Sequence, residues 1–162
     1  MINICYNGDC CMNRYMKEAI DEAYSGINAG HGGPFGAVVV RNGKVIGKGH
    51  NSVIKNNDPT CHGEVMAIRD ACAKENNFSL AGCEIYTTAE PCPMCFGAIL
   101  WAGIDKVYYG CNVSDTEKIG FKDSDFYKAV GGGGGLLLEE TDRAECLELF
   151  EKYQNTENKK TY

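Results

Sequence analysis

The 162-residue sequence contains no apolar run that approaches the roughly 20 residues needed to cross a bilayer. Its first residues also lack the basic start and apolar segment that mark a secretory signal. Both absences predict a cytoplasmic protein without a membrane partner. Because cytosolic thiols stay reduced, we expect the 10 cysteines to be metal ligands or core residues and not disulfides.

Blocks of lysine and arginine are also missing, apart from a short Asn-Lys-Lys near the end of the sequence. The chain has 16 basic and 22 acidic residues, which gives a formal net charge of -6. A polyanion is repelled by this balance, and proteins that bind nucleic acid usually gather basic residues on one face. The composition therefore disfavours DNA or RNA as the main ligand.

The length of the chain fits one domain. We expect residues 1–11 to be a flexible extension and residues 12–162 to form the single domain. Within that domain, a glycine-rich break is expected at 131–140, before a C-terminal helix and tail.

Hydrophobic spacing predicts the order helix, β-hairpin, helix, strand, helix, strand, helix. The hairpin is predicted from Asn42-Gly43, a dipeptide suited to a type I′ turn. Thr141 is a possible cap of the last helix. The apolar stripe of the first helix consists of Met12, Met16, Ala19, Ala23 and Ile27. Helices that separate strands predict a layered α/β fold, and its sheet must be mixed because the hairpin pair is antiparallel.

The segment Pro91-Cys92-Pro93-Met94-Cys95 places two thiols on the first turn of a predicted helix, where free N–H groups stabilise thiolates. A structural zinc normally takes four protein ligands, and no second Cys-x-x-Cys exists in this sequence. His62 starts another predicted helix and supplies a third ligand if the two helix starts converge. The fourth position would then be open to water, as catalytic zinc requires. A redox role is the alternative reading of Cys-x-x-Cys.

Glu64 follows His62 by two residues, which is close enough to aim its carboxylate at a metal-bound water. The neighbouring Cys61 is expected to be a small buried hydrophobic residue. A second hypothesis is a non-catalytic, zinc-stabilised binding module. That hypothesis requires a fourth protein ligand, for which Cys61 and Cys111 are the obvious candidates.

The residues Cys-His-Gly-Glu at 61–64, together with Pro-Cys-Pro-Met-Cys at 91–95, resemble the HxE…PCxxC signature of the zinc-dependent nucleobase deaminases. The resemblance implies that His62, Cys92 and Cys95 hold one zinc ion per chain and that Glu64 moves protons. It also implies a three-layer α/β/α cytidine deaminase-like fold with a central mixed five-stranded sheet.

From about Asn13 to Tyr127 the chain is similar to the bacterial guanine deaminases. The segments that carry this similarity are INAGHGGPFGAVVV, GHNSV, NDPTCHGEVMAIR, EPCPMCFGAILWA and GFKDSDFY. The resemblance implies hydrolytic deamination of guanine to xanthine and ammonia in purine metabolism. It further implies a homodimer that can exchange C-terminal segments. The substrate-binding residues it implies are Phe35, Asn51, Trp101, Asp123 and Tyr162.

Several related activities share the same zinc chemistry. Guanosine or deoxyguanosine presents the same base and stays open as a substrate. Cytidine or deoxycytidylate is less favoured, since the purine-type GFKDS segment would have no purpose there. A tRNA adenosine deaminase shares the core signature, and the acidic balance of the chain opposes it.

Overall fold

The computed structural model describes residues 12–130 and 138–157. In these two ranges the chain forms seven helices and five strands. Their bounds, in chain order, are α1 Arg14–Asn28, β1 Gly36–Arg41, β2 Lys44–His50, α2 Val53–Asn56, α3 Gly63–Glu75, β3 Cys83–Ala89, α4 Pro93–Ala102, β4 Lys106–Cys111, α5 Val113–Lys118, α6 Asp123–Val130, β5 Leu138–Glu140 and α7 Arg143–Gln154.

The five strands form one mixed sheet in the order β2-β1-β3-β4-β5. Strand β1 runs antiparallel to β2 and β3, whereas β4 runs parallel to β3 and β5. Asn42 and Gly43 have φ values of 49° and 75°, as a type I′ turn requires. The predicted hairpin and the mixed α/β sheet are therefore confirmed.

Helices cover both faces of the sheet. Side chains alternate along a strand, so Val38 and Val40 of β1 face one side while Ala37 and Val39 face the other. We name the first side, which includes buried residues of α1 and α7, the α1/α7 layer. The second side, with buried residues of α3 and α4, is the α3/α4 layer.

Helix α1 begins at Arg14, two residues after Met12, because Asn13 caps it. The Asn13 Oδ1 atom accepts hydrogen bonds from the backbone N–H groups of Tyr15, at 2.8 Å, and Met16, at 3.4 Å. The predicted apolar stripe faces the sheet: Met16, Ala19 and Ala23 are fully buried.

Two glycines of β2 let α3 lie against the sheet, backbone to backbone. A Cβ atom added at Gly49 would lie 2.3 Å from the backbone nitrogen of Ala67, and one at Gly47 would lie 2.5 Å from the Ala67 carbonyl oxygen. Real Cβ atoms do not approach so closely. The position of α3, and of the His62 that precedes it, therefore depends on these glycines.

The C-terminal part of the domain differs from the expectation in two places. Residues 138–140 are not part of a break, since they form β5 and pair in parallel with β4. Thr141 does not cap α7, because its backbone N–H donates to Tyr109 and the N-cap position is occupied by Asp142, at a φ of 51°. The proposed extension at 1–11 and the glycines at 131–135 lie outside the described residues.

None of the helices in the described ranges combines the length and the apolar character that crossing a membrane demands.

Candidate active site

The starts of two helices meet at the site. His62 and Cys92 occupy the N-cap positions of α3 and α4, and Pro93 fills the first turn of α4, where a missing N–H costs nothing. Neither side chain makes a capping hydrogen bond. Instead the two face each other, with Cys92 Sγ 3.6 Å from His62 Nδ1.

These side chains and Cys95 form a compact donor cluster. The possible ligand atoms of His62, Cys92 and Cys95 all lie within 4.8 Å of one another. Ligands of one tetrahedral zinc ion are separated by roughly 3.3 to 3.8 Å, from Zn–S and Zn–N bonds of about 2.3 and 2.0 Å. Two thiols and an imidazole at this spacing suit zinc. Across 12–130 and 138–157, no other three metal-binding side chains come as close together.

The two thiols differ in their acidity. A hydrogen bond from the Cys95 thiol, with further help from His62, lowers the pKa of Cys92 to about 4. Donation to Cys92 and burial raise the pKa of Cys95 well above its usual range. The lowered pKa favours the thiolate form of Cys92, which is the form that binds a metal.

Glu64 lies beside the cluster in the first turn of α3. It is only 5% exposed, and burial together with the negative charge of Cys92 raises its pKa to about 7. A carboxyl group with a pKa near neutrality can both accept and return a proton. This is the property that proton transfer during hydrolysis needs.

A cleft opens next to the cluster. It is lined by Phe35, Asn51, His62, Glu64, Ala89, Glu90, Cys92, Phe121 and Asp123. Six of the eight predicted site residues that the structure describes line this cleft, and Cys95 adjoins it through the donor cluster. Asn51 is 1% exposed, and its backbone N–H donates to the Phe35 carbonyl at 2.8 Å.

Asp123 reaches the cleft from the first turn of α6. Burial and the nearby negative charge of Cys92 raise its pKa to about 6. Helix α6 contacts the segment between β3 and α4, because the Tyr127 hydroxyl donates a hydrogen bond to the Pro91 carbonyl. Asp123 thus lines the same cleft as Asn51.

Trp101 does not line the cleft, contrary to the expectation. It lies near the C-terminal end of α4 and is 91% exposed. A helix rises 1.5 Å per residue, so Trp101 is roughly 12 Å along the axis from Pro93 and the ligand cluster. Tyr162, the remaining predicted contact, lies outside the described residues.

Cys61 is buried but separate from the cluster. Its Sγ atom contacts Asp58 Oδ2 at 3.3 Å, Asn56 Nδ2 at 3.4 Å and Arg69 Nη1 at 3.6 Å. Neither Cys61 nor Cys111 belongs to the metal-binding group. The fourth protein ligand that a closed structural site requires is therefore not found among the described residues.

Besides Ala89, two cleft residues were not singled out from the sequence. Phe121 packs edge-on against Phe35, with ring centroids 4.8 Å apart and planes at 82°. Glu90 accepts a hydrogen bond from the Val113 N–H at 3.1 Å. Each stands two residues before a predicted site residue, in the GFKDS and EPCPMC segments, so position within those segments was the available signal.

Comparison with known proteins agrees with this geometry. The family described as the cytidine and deoxycytidylate deaminase zinc-binding region matches residues 11–111. That is more than half of the chain. The chain therefore belongs to the zinc-dependent cytidine and deoxycytidylate deaminase family, and its fold is the cytidine deaminase-like fold.

Individual relatives fall into two groups. A guanine deaminase from Bacillus subtilis is 42% identical over 151 residues, which cover 91% of this chain and 97% of the relative. The crystal structure of guanine deaminase from the same species has a TM-score of 0.71 and covers 93% of this chain and 99% of that chain. A tRNA-specific adenosine deaminase from Aquifex aeolicus is 43% identical over 95 residues, covering 59% of this chain and 62% of the relative.

Proposed function

We propose that this protein catalyses the zinc-dependent hydrolytic deamination of guanine to xanthine and ammonia. The observation that carries the proposal is the buried Glu64 beside the His62, Cys92 and Cys95 cluster, at the base of a cleft. Similarity to a guanine deaminase over 91% of the chain favours guanine over the tRNA substrate, for which the matched segment is shorter.

His62, Cys92 and Cys95 would hold the zinc ion. When bound there, zinc acts as a Lewis acid that lowers the pKa of a coordinated water toward neutrality. Glu64 takes a proton from the water that attacks C2 of guanine, the carbon that bears the amino group. Glu64 then delivers this proton to N3 of the ring. It next takes the remaining proton of the oxygen added at C2 and passes it to the amino group, so that ammonia departs and the C2 carbonyl of xanthine forms.

Three side chains would orient the base. The Asn51 amide can donate and accept hydrogen bonds, and the Asp123 carboxylate can accept them from ring N–H groups. Phe35 supplies an apolar surface for the ring, and its contact with Phe121 fixes the angle of that surface. Prepositioned groups of this kind lower the entropic part of the barrier.

The substrate assignment is tested by ammonia release from guanine, guanosine, cytidine and a tRNA stem-loop, with zinc-loaded protein. We expect guanine to give the highest kcat/KM. Preference for guanosine would move the proposal to a nucleoside, and preference for the stem-loop would move it to tRNA. Equal inactivity on all four would overturn it.

We also infer that the protein is a homodimer. Several large apolar side chains of α4 and α6 are exposed on the single chain, namely Leu100, Trp101, Phe126 and Val130. Exposed apolar groups of this size indicate a protein contact surface, and we assign Trp101 to it. A mass in solution of twice the 17.7 kDa chain is expected, and a Trp101→Asp variant should sediment as the monomer. An unchanged mass in that variant would remove Trp101 from the contact.

A further inference from the structure

Outside the metal cluster, three polar side chains from different elements form a continuous hydrogen-bonded chain. The Glu22 carboxylate of α1 contacts His50 Nδ1 at 2.7 Å, and His50 Nε2 contacts His31 Nδ1 at 2.8 Å. The two imidazole rings stack with an interplanar angle of 25°. His50 ends β2, and His31 lies in the loop between α1 and β1.

The proton positions in this hydrogen-bonded network follow from the Glu22 carboxylate at one end. A carboxylate only accepts hydrogen bonds, so His50 Nδ1 must carry a proton and donate it to Glu22. In neutral His50 the Nε2 atom is then an acceptor, and His31 Nδ1 must be the donor. Burial, and the positive charge of Lys55, lower the pKa of His31. The neutral, donating form of His31 is thereby favoured.

Both histidines lie on segments that carry cleft residues. Asn51 directly follows His50, and Phe35 lies four residues after His31. The two segments are joined again at the cleft, where the Asn51 N–H donates to the Phe35 carbonyl at 2.8 Å. The His31 carbonyl also accepts from the N–H groups of Ile54 and Lys55, both at 3.1 Å. The contact between His31 and His50 and the contact between Asn51 and Phe35 therefore join the same two segments. We call this pair of contacts the junction.

The junction is too tightly packed to absorb a shift. A Cβ atom at Gly32 would lie 2.0 Å from Asn51 Oδ1, and one at Gly26 would lie 2.7 Å from the His50 ring. Movement of the His31 loop would therefore displace the Asn51 side chain. In the proposed function, this side chain contacts the base.

We propose that Glu22, His50 and His31 are positioning residues that hold the Asn51 and Phe35 segments together in the geometry that binds the base. The network touches neither the metal cluster nor Glu64. Its loss should weaken substrate binding more than it slows the chemical step. The expected change in substrate binding rests on the proposed deaminase function. The role of the network in holding the two segments together does not.

The charges around the network come from several elements. Lys48 of β2 forms an ion pair with Glu18 of α1 at 2.6 Å and also faces Glu22. Asp70 of α3 faces Glu22 as well, while Lys55 of α2 faces His31. The hydrogen bond with His50 outweighs burial and lowers the pKa of Glu22, so the carboxylate stays ionised and keeps its acceptor role.

The kinetic test replaces His31 by leucine, which removes the donor at similar volume. We expect KM for guanine to rise about fivefold, as one lost hydrogen bond implies, while kcat and zinc content stay near wild type. His31→Asn should restore KM, because its amide nitrogen lies close to the place of Nδ1. Asp21→Asn is the matched control, since Asp21 neighbours Glu22 on α1 and its ion pair is with the exposed Lys17, at 2.7 Å. Its KM should not change.

The structural test is amide hydrogen exchange, which needs no activity. In His31→Leu the N–H groups of Asn51, Ile54 and Lys55 should exchange faster than in wild type, while those of α4 stay unchanged. If His31→Leu does not fold, Glu22→Ala takes its place with the same expected changes. A zinc-loaded, folded variant with unchanged KM and unchanged exchange would overturn the proposal. Wild-type protein that ignores guanine would overturn the deaminase function alone, because the exchange result would still decide the role of the network.

Discussion

The two layers that cover the sheet are built from different side chains. The buried members of the α3/α4 layer are aliphatic residues or cysteine, without an aromatic ring: Ala37, Val39, Ala67, Ala71, Leu80, Cys83, Ile85, Ile99, Ala102, Ile104 and Val107. The α1/α7 layer instead buries the aromatic rings of Tyr86, Phe121, Phe150 and Tyr153. Aromatic rings thus fill part of the α1/α7 layer. Helix α1 nevertheless lies close to the sheet, since a Cβ atom added at Gly36 would lie 2.2 Å from the Ala19 carbonyl oxygen.

The two layers also differ in how many candidate catalytic and metal-binding residues they carry. The α3/α4 layer carries His62, Glu64, Cys92 and Cys95, the proposed metal-binding and proton-transfer residues, at its helix starts, where small displacements matter most. In this layer α3 lies backbone to backbone against β2 at Gly47 and Gly49. The α1/α7 layer supports the sheet and contributes Phe121 and Ala89 to the cleft, where Phe35 packs against it. Substitutions in the two layers should therefore have separable effects.

The largest effect is expected for Glu64→Gln in the α3/α4 layer. The amide keeps the shape of the side chain but cannot carry the proton, so turnover should fall about 10³-fold while zinc stays bound. Steady-state ammonia release and metal analysis measure the two quantities. Comparable turnover in a zinc-loaded variant would remove Glu64 from its proposed role.

Next is Gly49→Ala, which places a methyl group against the backbone of α3. We expect a loss of about 1 to 3 kcal/mol in the free energy of unfolding, together with weaker zinc binding as His62 shifts. Urea denaturation and zinc titration are the measurements.

Gly97→Ala in α4 is the matched control, since a Cβ atom there meets nothing within 4 Å. It should stabilise the protein by up to about 1 kcal/mol, because alanine favours a helix over glycine. Equal losses from both alanines would contradict the close-packing account of this layer.

A smaller effect is expected for Asp115→Ala, which lies with Arg143 next to the α1/α7 layer. Asp115 is 1% exposed, accepts two hydrogen bonds from the Arg143 guanidinium and completes a capping box with Asn112. Its loss should cost about 1 kcal/mol of stability and leave zinc content unchanged.

The pH dependence of that cost has a defined sign. Burial raises the pKa of Asp115, but the hydrogen bonds from Arg143, Asn112 and Lys118 outweigh it, so the pKa lies below its ordinary value. A lowered folded pKa stabilises the protein above the unfolded pKa of about 3.9, and the benefit disappears as pH falls through the folded pKa. The ionic part of the stability difference between wild type and Asp115→Ala should shrink in unfolding curves taken below pH about 4. A difference that grows there would contradict the assignment.

The smallest effect is expected for Cys61→Ser. Its thiol contacts Asp58, Asn56 and Arg69, away from the metal-binding group, so zinc content and turnover should stay at wild-type levels. Loss of zinc in this variant would favour a closed structural site and the binding-module hypothesis.

Local signals in the sequence were enough for most of the fold. The Asn42-Gly43 turn, the stripe through Met16 and Ala23, and the proline in the first turn of α4 each act over a few residues. Strand β5 escaped prediction because three residues are too few to show alternation, and only pairing with β4 defines them. The N-cap of α7 was misplaced by one residue because an αL residue, Asp142, stands where a side-chain cap was expected.

In the candidate site, too, local features could be predicted from the sequence and long-range contacts could not. Spacing within the chain identified His62, Cys92 and Cys95 as a donor set, and placed Glu64 next to it, because helix starts impose short-range geometry. Convergence of the two helix starts, about thirty residues apart in sequence, is a property of the sheet order and of the close packing at Gly47 and Gly49. The exposure of Trp101 and the contact between His31 and His50 are long-range outcomes of the same kind.

The sequence alone thus determined which atoms can bind the metal and move a proton, since those are covalent properties of a few residues at fixed spacing. Only the tertiary structure decided which of the other candidates reach the cleft. Burial and distance depend on how separate elements pack, and no local pattern carries that information.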